Sequence, residues 1–320
     1  MAHRSRAREQ KPKPPLIVWA VDPFEEAGPV RTHVEDSLRA LVRRTKARVL
    51  PIHIFSVSET SPNVDPAIAA LKLYLQRAAV PGCLEPCVLF ESMTSRSRAA
   101  ELLLERAVTE GAELVVAGSH GRSTWARWLM GSFAESLLLR APLPVLLISR
   151  RSLPLTGHWN TLFATDLGQP SRRLFEESLP LLRRFGGKLT LFHSAPNPIE
   201  PVVQSGILLL GGAWVPVHPY FARDTEARNR KLRAWANHGQ RRGVRVLPRL
   251  ISEPGSVAGH AVRCVEDVHA DLVVAAPHGG PIRSAIAGSV ARQMARQLDV
   301  PLLILHSNER AEKTVPFVAA

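Results

Sequence analysis

Short apolar runs that end in an acid alternate along this chain with longer stretches of helical spacing. Leu16-Ile17-Val18-Trp19-Ala20-Val21-Asp22 opens one such series, and Thr161-Leu162-Phe163-Ala164-Thr165-Asp166 opens another, with the two acids 144 residues apart. Runs this short and this apolar predict buried strands. Helical patterns follow over Val30 to Thr45 and Ser171 to Phe185, and each leads to a further strand, at 49–57 (despite Pro51) and at 188–193. In the first half the candidate strands are 16–21, 48–55, 84–90, 113–117 and 144–148. This alternation predicts an α/β architecture, because parallel strands can be joined only through crossovers.

The second half repeats the first. Glu110 to Ala117 matches Val268 to Ala275, and the proline-led stretch Ala141 to Ile148 matches Leu298 to Leu305, 157 residues on. A duplication with one longer internal loop accounts for these spacings. The organisation expected is a basic tail (1–13), a first domain (14–150), a polar linker with Pro154 and Gly157 (151–158), a second domain (159–308) and a C-terminal tail (309–320). The extra length falls in a loop at 196–221, Pro-rich at both ends and apolar from Gly206 to Trp214. That apolar middle can fold onto its own core, meet a partner, or touch a ligand or membrane.

The chemistry lies after the fourth strand. Gly118-Ser119-His120-Gly121 is followed, nine residues after the second glycine, by Gly131-Ser132. Glycines let a backbone approach an anion closely, and a helix opening at Ser132 offers unpaired N–H groups and a hydroxyl. His120 and Arg122 flank Gly121 and carry donors suited to phosphate. The second copy, Ala276-Pro277-His278-Gly279 and then Gly288-Ser289, loses the first glycine, gains a proline without an N–H, and is one residue short between its glycines. One phosphate cradle is intact and the other is degraded.

Strand-end acid, Gly-x2-Gly-x9-Gly-Ser spacing and proline-led last strand together resemble a tandem universal stress protein. The resemblance implies two Rossmann-like domains with parallel sheets of strand order 3-2-1-4-5, their last strands pairing across a two-fold-like interface inside the chain. It also implies ATP, or a related adenine nucleotide, in the first domain. Asp22 then lies near the ribose, and the backbone of Ser56, or of Val57 if the strand slips by one, lies near adenine with Ala117. Gly118, Gly121, Gly131 and Ser132 surround the phosphates, with His120 and Arg122 beside them and a divalent cation able to bridge phosphate oxygens. Phe133 stands where the family has a smaller aliphatic residue.

The function implied is an ATP-binding stress-response protein that associates with an unidentified protein partner, with a homo-oligomer also open. One alternative is a slow ATP hydrolase, against which stands the absence of a Walker A Gly-Lys-Ser/Thr ending. Another is a structural or partner-binding tandem module with no nucleotide switch. No Ser-His-Asp or paired-carboxylate arrangement is evident, so no catalytic residue is assigned.

Charge and cysteine content adjust this picture only slightly. The formal charge is +13, of which the tail contributes +4. A basic surface favours anions without selecting nucleic acid, and Trp125 and Trp128 around Arg127 suit helix packing better than base stacking. There is no secretory h-region and no apolar run of membrane-spanning length, so a cytoplasmic setting is expected. Cys83, Cys87 and Cys264 have no disulfide or metal spacing. Neither His260 with Cys264 nor Asp166 with His193 and His278 amounts to a metal site on spacing alone.

Overall fold

The computed structural model describes residues 14–25, 28–56, 65–91, 96–118, 132–155, 157–195, 207–208, 214–215, 218–276 and 290–306. The first repeat runs β1 (Leu16–Ala20), α1 (Pro29–Thr45), β2 (Arg48–Ser56), α2 (Asp65–Ala78), β3 (Cys87–Glu91), α3 (Arg96–Thr109), β4 (Leu114–Gly118), α4 (Ser132–Arg140) and β5 (Val145–Ile148). The second runs β6 (Trp159–Ala164), α5 (Gln169–Phe185), β7 (Gly186–Ser194), the short β8 (Ile207–Leu208) and β9 (Trp214–Val215), α6 (His218–Arg241), β10 (Val246–Ile251), α7 (Val257–Val268), β11 (Leu272–Ala275), α8 (290–297) and β12 (Leu302–Ile304).

Ten strands form one sheet in the order β10-β7-β6-β11-β12-β5-β4-β1-β2-β3. Each half has the order 3-2-1-4-5, all parallel, and the halves meet where β5 pairs antiparallel with β12. Leu146 faces Leu303, its own equivalent 157 residues later, while Val145 faces Ile304 and Leu147 faces Leu302. The pseudo-two-fold axis therefore passes through the Leu146–Leu303 pair.

Strands buried on both faces need helices on both sides. On one face α1, α2, α5 and α6 cover a core that includes Trp19, Trp159, Phe163, Phe175 and Trp235. On the other, α3, α4, α7 and α8 cover Leu103, Leu137, Cys264 and Met294. α1 and α5 both open with proline in the first turn, where its missing N–H has no partner to lose. They end on the left-handed Lys46 and Gly186.

Two segments differ from the sequence reading. β3 starts at Cys87 rather than 84, because Pro86 has no N–H for the ladder; Cys83 makes only an isolated bridge to Val49. The long loop also carries elements: β8 and β9 pair antiparallel, and α6 begins at His218, with Pro219 in its first turn. Around the linker, Ser149 and Ser152 exchange backbone-to-hydroxyl bonds, Leu153 donates its N–H to the Asp299 carbonyl at 2.9 Å, and buried Leu155 donates to Ser37 Oγ at 3.4 Å.

Side chains reinforce the seam on both faces. Arg292 pairs with Glu135 at 2.6 Å between α8 and α4. Arg44, in the last turn of α1, donates to the carbonyls of Phe185 (2.9 Å), Arg184 (3.2 Å) and Gly157, and its guanidinium lies 5.2 Å from the Trp159 ring centre. A cation at the end of α5 satisfies carbonyls that have no intrahelical donor and stacks on an electron-rich face. Arg44→Ala is expected to lower the free energy of unfolding by about 2 kcal/mol, whereas Arg184→Ala, at the equivalent position of α5, should cost less than about 0.5 kcal/mol. Urea denaturation of the two variants makes the comparison.

Candidate functional site

In a 3-2-1-4-5 sheet the strand order reverses between β1 and β4, and ligands bind at the carboxyl ends of the strands there. β1 pairs with β4 in parallel, so Asp22 just beyond β1 and Gly118 at the end of β4 share that edge. Ser56 ends β2 on the same edge, opposite Glu91 at the end of β3. Ser132 is the first residue of α4, and Phe133 is half-buried against the core under that helix. Val57, His120, Gly121, Arg122 and Gly131 lie outside the described residues.

Each described position has a local cause. Asp22 Oδ1 accepts the Phe24 N–H at 3.0 Å, which fixes the turn after β1. Ala117 is buried in β4, in register with Leu147. At Gly118 a β-carbon would come 3.0 Å from Val30 Cγ1 and 3.8 Å from Val34 Cγ2. Glycine there lets α1 lie close over β4, a packing demand in addition to any ligand's.

His53 and Glu91 were missed by the sequence reading. His53 is buried on β2; its Nδ1 is 3.0 Å from the Val21 carbonyl, and its ring lies 5.7 Å, centre to centre, from that of Phe24. The available signal was a histidine at the same place in both repeats, His53 and His193, 140 residues apart. Glu91 is 4% exposed, and no spacing rule would have singled it out.

The corresponding edge of the second repeat is engaged with its own side chains. Asp166 Oδ1 accepts the Gly168 N–H at 2.5 Å and the Ser171 hydroxyl at 2.9 Å, securing the start of α5. His193 Nδ1 lies 2.7 Å from the Thr165 carbonyl, and Nε2 lies 3.0 Å from Arg228 Nη1 on α6. Because arginine can only donate, Nε2 accepts and Nδ1 carries the proton. Both ring nitrogens are thus committed, and His193 has none left for a metal. Next to it, Ser194 Oγ is 2.7 Å from His260 Nδ1, while His260 Nε2 lies 3.3 Å from the Pro254 carbonyl. His260 is paired with Ser194 rather than with Cys264, a buried free thiol pushed up to about 11 by burial. Ala276 closes this edge in place of the first glycine, and Pro277 to Ser289 lie outside the described residues.

The profile of the universal stress protein family matches residues 15–149 and again 160–306. The chain belongs to the universal stress protein family. Two copies of the family's domain thus account for both halves of the sheet. Among solved structures it is similar to a universal stress protein from Archaeoglobus fulgidus DSM 4304 (14% identity, 92% of this chain, 97% of that one, TM-score 0.58). It is also similar to a functionally unknown protein from Pseudomonas aeruginosa PAO1 (13%, 93% and 94%, TM-score 0.61) and to a putative universal stress protein from P. aeruginosa UCBPP-PA14 (14%, 94% and 95%, TM-score 0.59). At these identities the likeness is one of fold, and it extends over both repeats. No curated protein matches the sequence.

Burial, with the Arg228 charge adding to it, lowers the pKa of His193 below its ordinary 6.5. The unfolded chain therefore takes up the proton first. The stability contributed by neutral His193 is complete above about pH 6.5 and is lost as pH falls through the folded-state value. His193→Asn retains an N–H for Thr165 but cannot titrate. Between about pH 7.5 and pH 5.5 it should lose less stability than the parent chain in parallel thermal unfolding experiments.

Proposed function

We propose that this chain is an ATP-binding stress-response protein whose first repeat holds the nucleotide and whose second repeat is a structural or regulatory half. The observation that carries the reading is the Gly118-x2-Gly121-x9-Gly131-Ser132 spacing, which begins at the end of β4, on the same sheet edge as Asp22, and finishes at the start of α4. In this assignment Asp22 accepts ribose hydroxyls, the backbone of Ser56 or Val57, with that of Ala117, meets adenine, and the glycines, Ser132, His120 and Arg122 hold phosphate. Phe133 makes that wall of the pocket bulkier. Among the described residues no three His, Cys, Asp or Glu side chains gather to hold a metal, so a divalent cation would arrive on the phosphates.

Nucleotide binding acts as a switch only if ATP favours one arrangement of the chain over another. The reading gives that role to association with a protein partner, or with further copies of the chain, in a cytoplasmic setting. No helix among the described residues is long and apolar enough to cross a membrane. A second reading, a partner-binding tandem module without a nucleotide switch, draws support from the self-engaged Asp166 and His193.

Isothermal titration calorimetry with ATP separates the two halves. Gly131→Val should weaken binding by about tenfold or more, by placing a branched side chain in the intact cradle, and Gly288→Val by less than about twofold. Equal losses, or a larger loss for Gly288→Val in folded protein, would reverse the assignment. If the unsubstituted chain binds no ATP, the second reading stands.

A further inference from the structure

One stretch of the second repeat carries positive charge without compensation. Between Glu226 and Glu253 the sequence has eight Lys and Arg and no acid. Two of the eight are engaged, Arg228 with Asp224 and His193, and Arg249 with Asp267. The other six, Arg230, Lys231, Arg233, Arg241, Arg242 and Arg245, are exposed, and their side chains make no hydrogen bond or ion pair with any described residue. Like charges held this close repel one another, so a polyanion that displaces the counterions over them gains free energy.

The fold sets these cations in a row. Leu232, Trp235 and Ala236 turn inward from α6, and Trp235 stacks on Phe175 of α5 at 5.8 Å between ring centres, which holds the helix in place. On the opposite face Arg223 and Arg241 are about five turns apart and so share one line, roughly 27 Å long, with Arg230 about 20° from it. Between them the exposed residues along that line are Ala227, Ala234 and Asn237, small or neutral side chains that let another backbone come close. Beyond the helix the row widens. Arg245 and Lys188 stand side by side, one residue before the Val246–Leu189 pair, and a β-carbon on left-handed Gly243 would lie 3.6 Å from Arg183 Cζ. In the first repeat the equivalent helix α2 is 14 residues long against 24, and its cations are Lys72, paired with Glu85, and Arg77. The charged face belongs to the second repeat.

The chemistry of this face selects the polyanion. From Arg223 to Arg241 no exposed apolar residue is larger than alanine. The face therefore has nothing to insert among acyl chains, no apolar centre for a protein interface, and no exposed ring on which an unpaired base could stack. It offers arginine forks at intervals along a rigid rod, donors suited to phosphate oxygens. A row of roughly 27 Å runs beside about eight base pairs of a duplex.

We propose that the outer face of α6, with the turn from Arg242 to Arg245, binds the phosphate backbone of double-stranded DNA without sequence preference. The surface lies with β7 and β10 at the margin of the sheet, away from the glycine motif, and does not depend on ATP binding.

Fluorescence anisotropy of a labelled duplex of about 20 base pairs, titrated with the full chain, tests it. Saturable binding is expected, weakening about a hundredfold between about 50 and 200 mM salt as counterions leave about four phosphates. Arg230→Gln/Arg233→Gln/Arg241→Gln/Arg242→Gln should lose about tenfold or more in affinity and flatten that salt dependence. Arg4→Gln/Arg6→Gln/Arg8→Gln/Lys11→Gln, in the basic N-terminal segment, should cost less than about threefold. Circular dichroism and thermal unfolding check that both are folded. If the α6 variant is not, Arg230→Gln/Arg233→Gln and Arg241→Gln/Arg242→Gln should each lose about threefold or more. Absence of saturable binding, affinity indifferent to salt, a folded α6 variant that binds like the parent, or an equal or greater loss from the N-terminal variant would overturn the proposal. So would tighter binding to a single strand, to poly-glutamate or to vesicles of phosphatidylglycerol in phosphatidylcholine.

Discussion

The antiparallel pairing of β5 with β12 is the interaction on which the rest of the structure depends. Each repeat alone would end in an apolar edge strand, with unpaired backbone groups between two hydrophobic faces, an arrangement prone to association. Joining the two edges covers both, because the second copy of the sequence supplies the same strand in reverse direction. The register puts Leu146 against Leu303, its own equivalent, and on one face Glu135 of α4 likewise meets its equivalent Arg292 of α8. Arg44 and Arg184 are equivalent and identical, but Arg44 lies over Trp159, whose equivalent in the first repeat is Pro15.

The same pairing separates the carboxyl edges of the two repeats. Within each half all strands are parallel, and the halves are opposed, so the carboxyl ends of β1 and β4 lie at one margin of the sheet and those of β6 and β11 at the other. The two edges therefore face opposite ways and share no strand end. In the second repeat Asp166 secures α5, and His193 is held between Thr165 and an arginine from the 24-residue α6, ten residues longer than α2, which joins the same strands in the first repeat.

Much of this was legible in the chain. Apolar runs closed by Asp22 and Asp166 located the first strand of each repeat, and the 157-residue spacing of the proline-led last strands gave the duplication whose equivalents meet at the seam. What escaped depended on contacts between residues remote in sequence. Arg44 looks like any basic residue near a helix end until the fold sets Trp159 and Phe185 against it. Gly118 reads as a phosphate glycine from its spacing, and only the approach of Val30 adds a packing demand. Glu91, buried at the end of β3, has no periodicity to reveal it. α6 was hidden because its first turn, His218 to Phe221, falls in a stretch whose prolines and glycines read as loop.

Two separate carboxyl edges, one reading Gly118-x2-Gly121-x9-Gly131-Ser132 in sequence and the other engaged with its own side chains, make the number of nucleotides bound by each chain the most direct test of the proposed function. Calorimetry at known active concentration, with nucleotide first removed from the protein, reads that number. One ATP per chain is the expected result. A stoichiometry of two, or a single ATP whose binding is abolished by Asp166→Ala and unaffected by Asp22→Ala in folded protein, would contradict it.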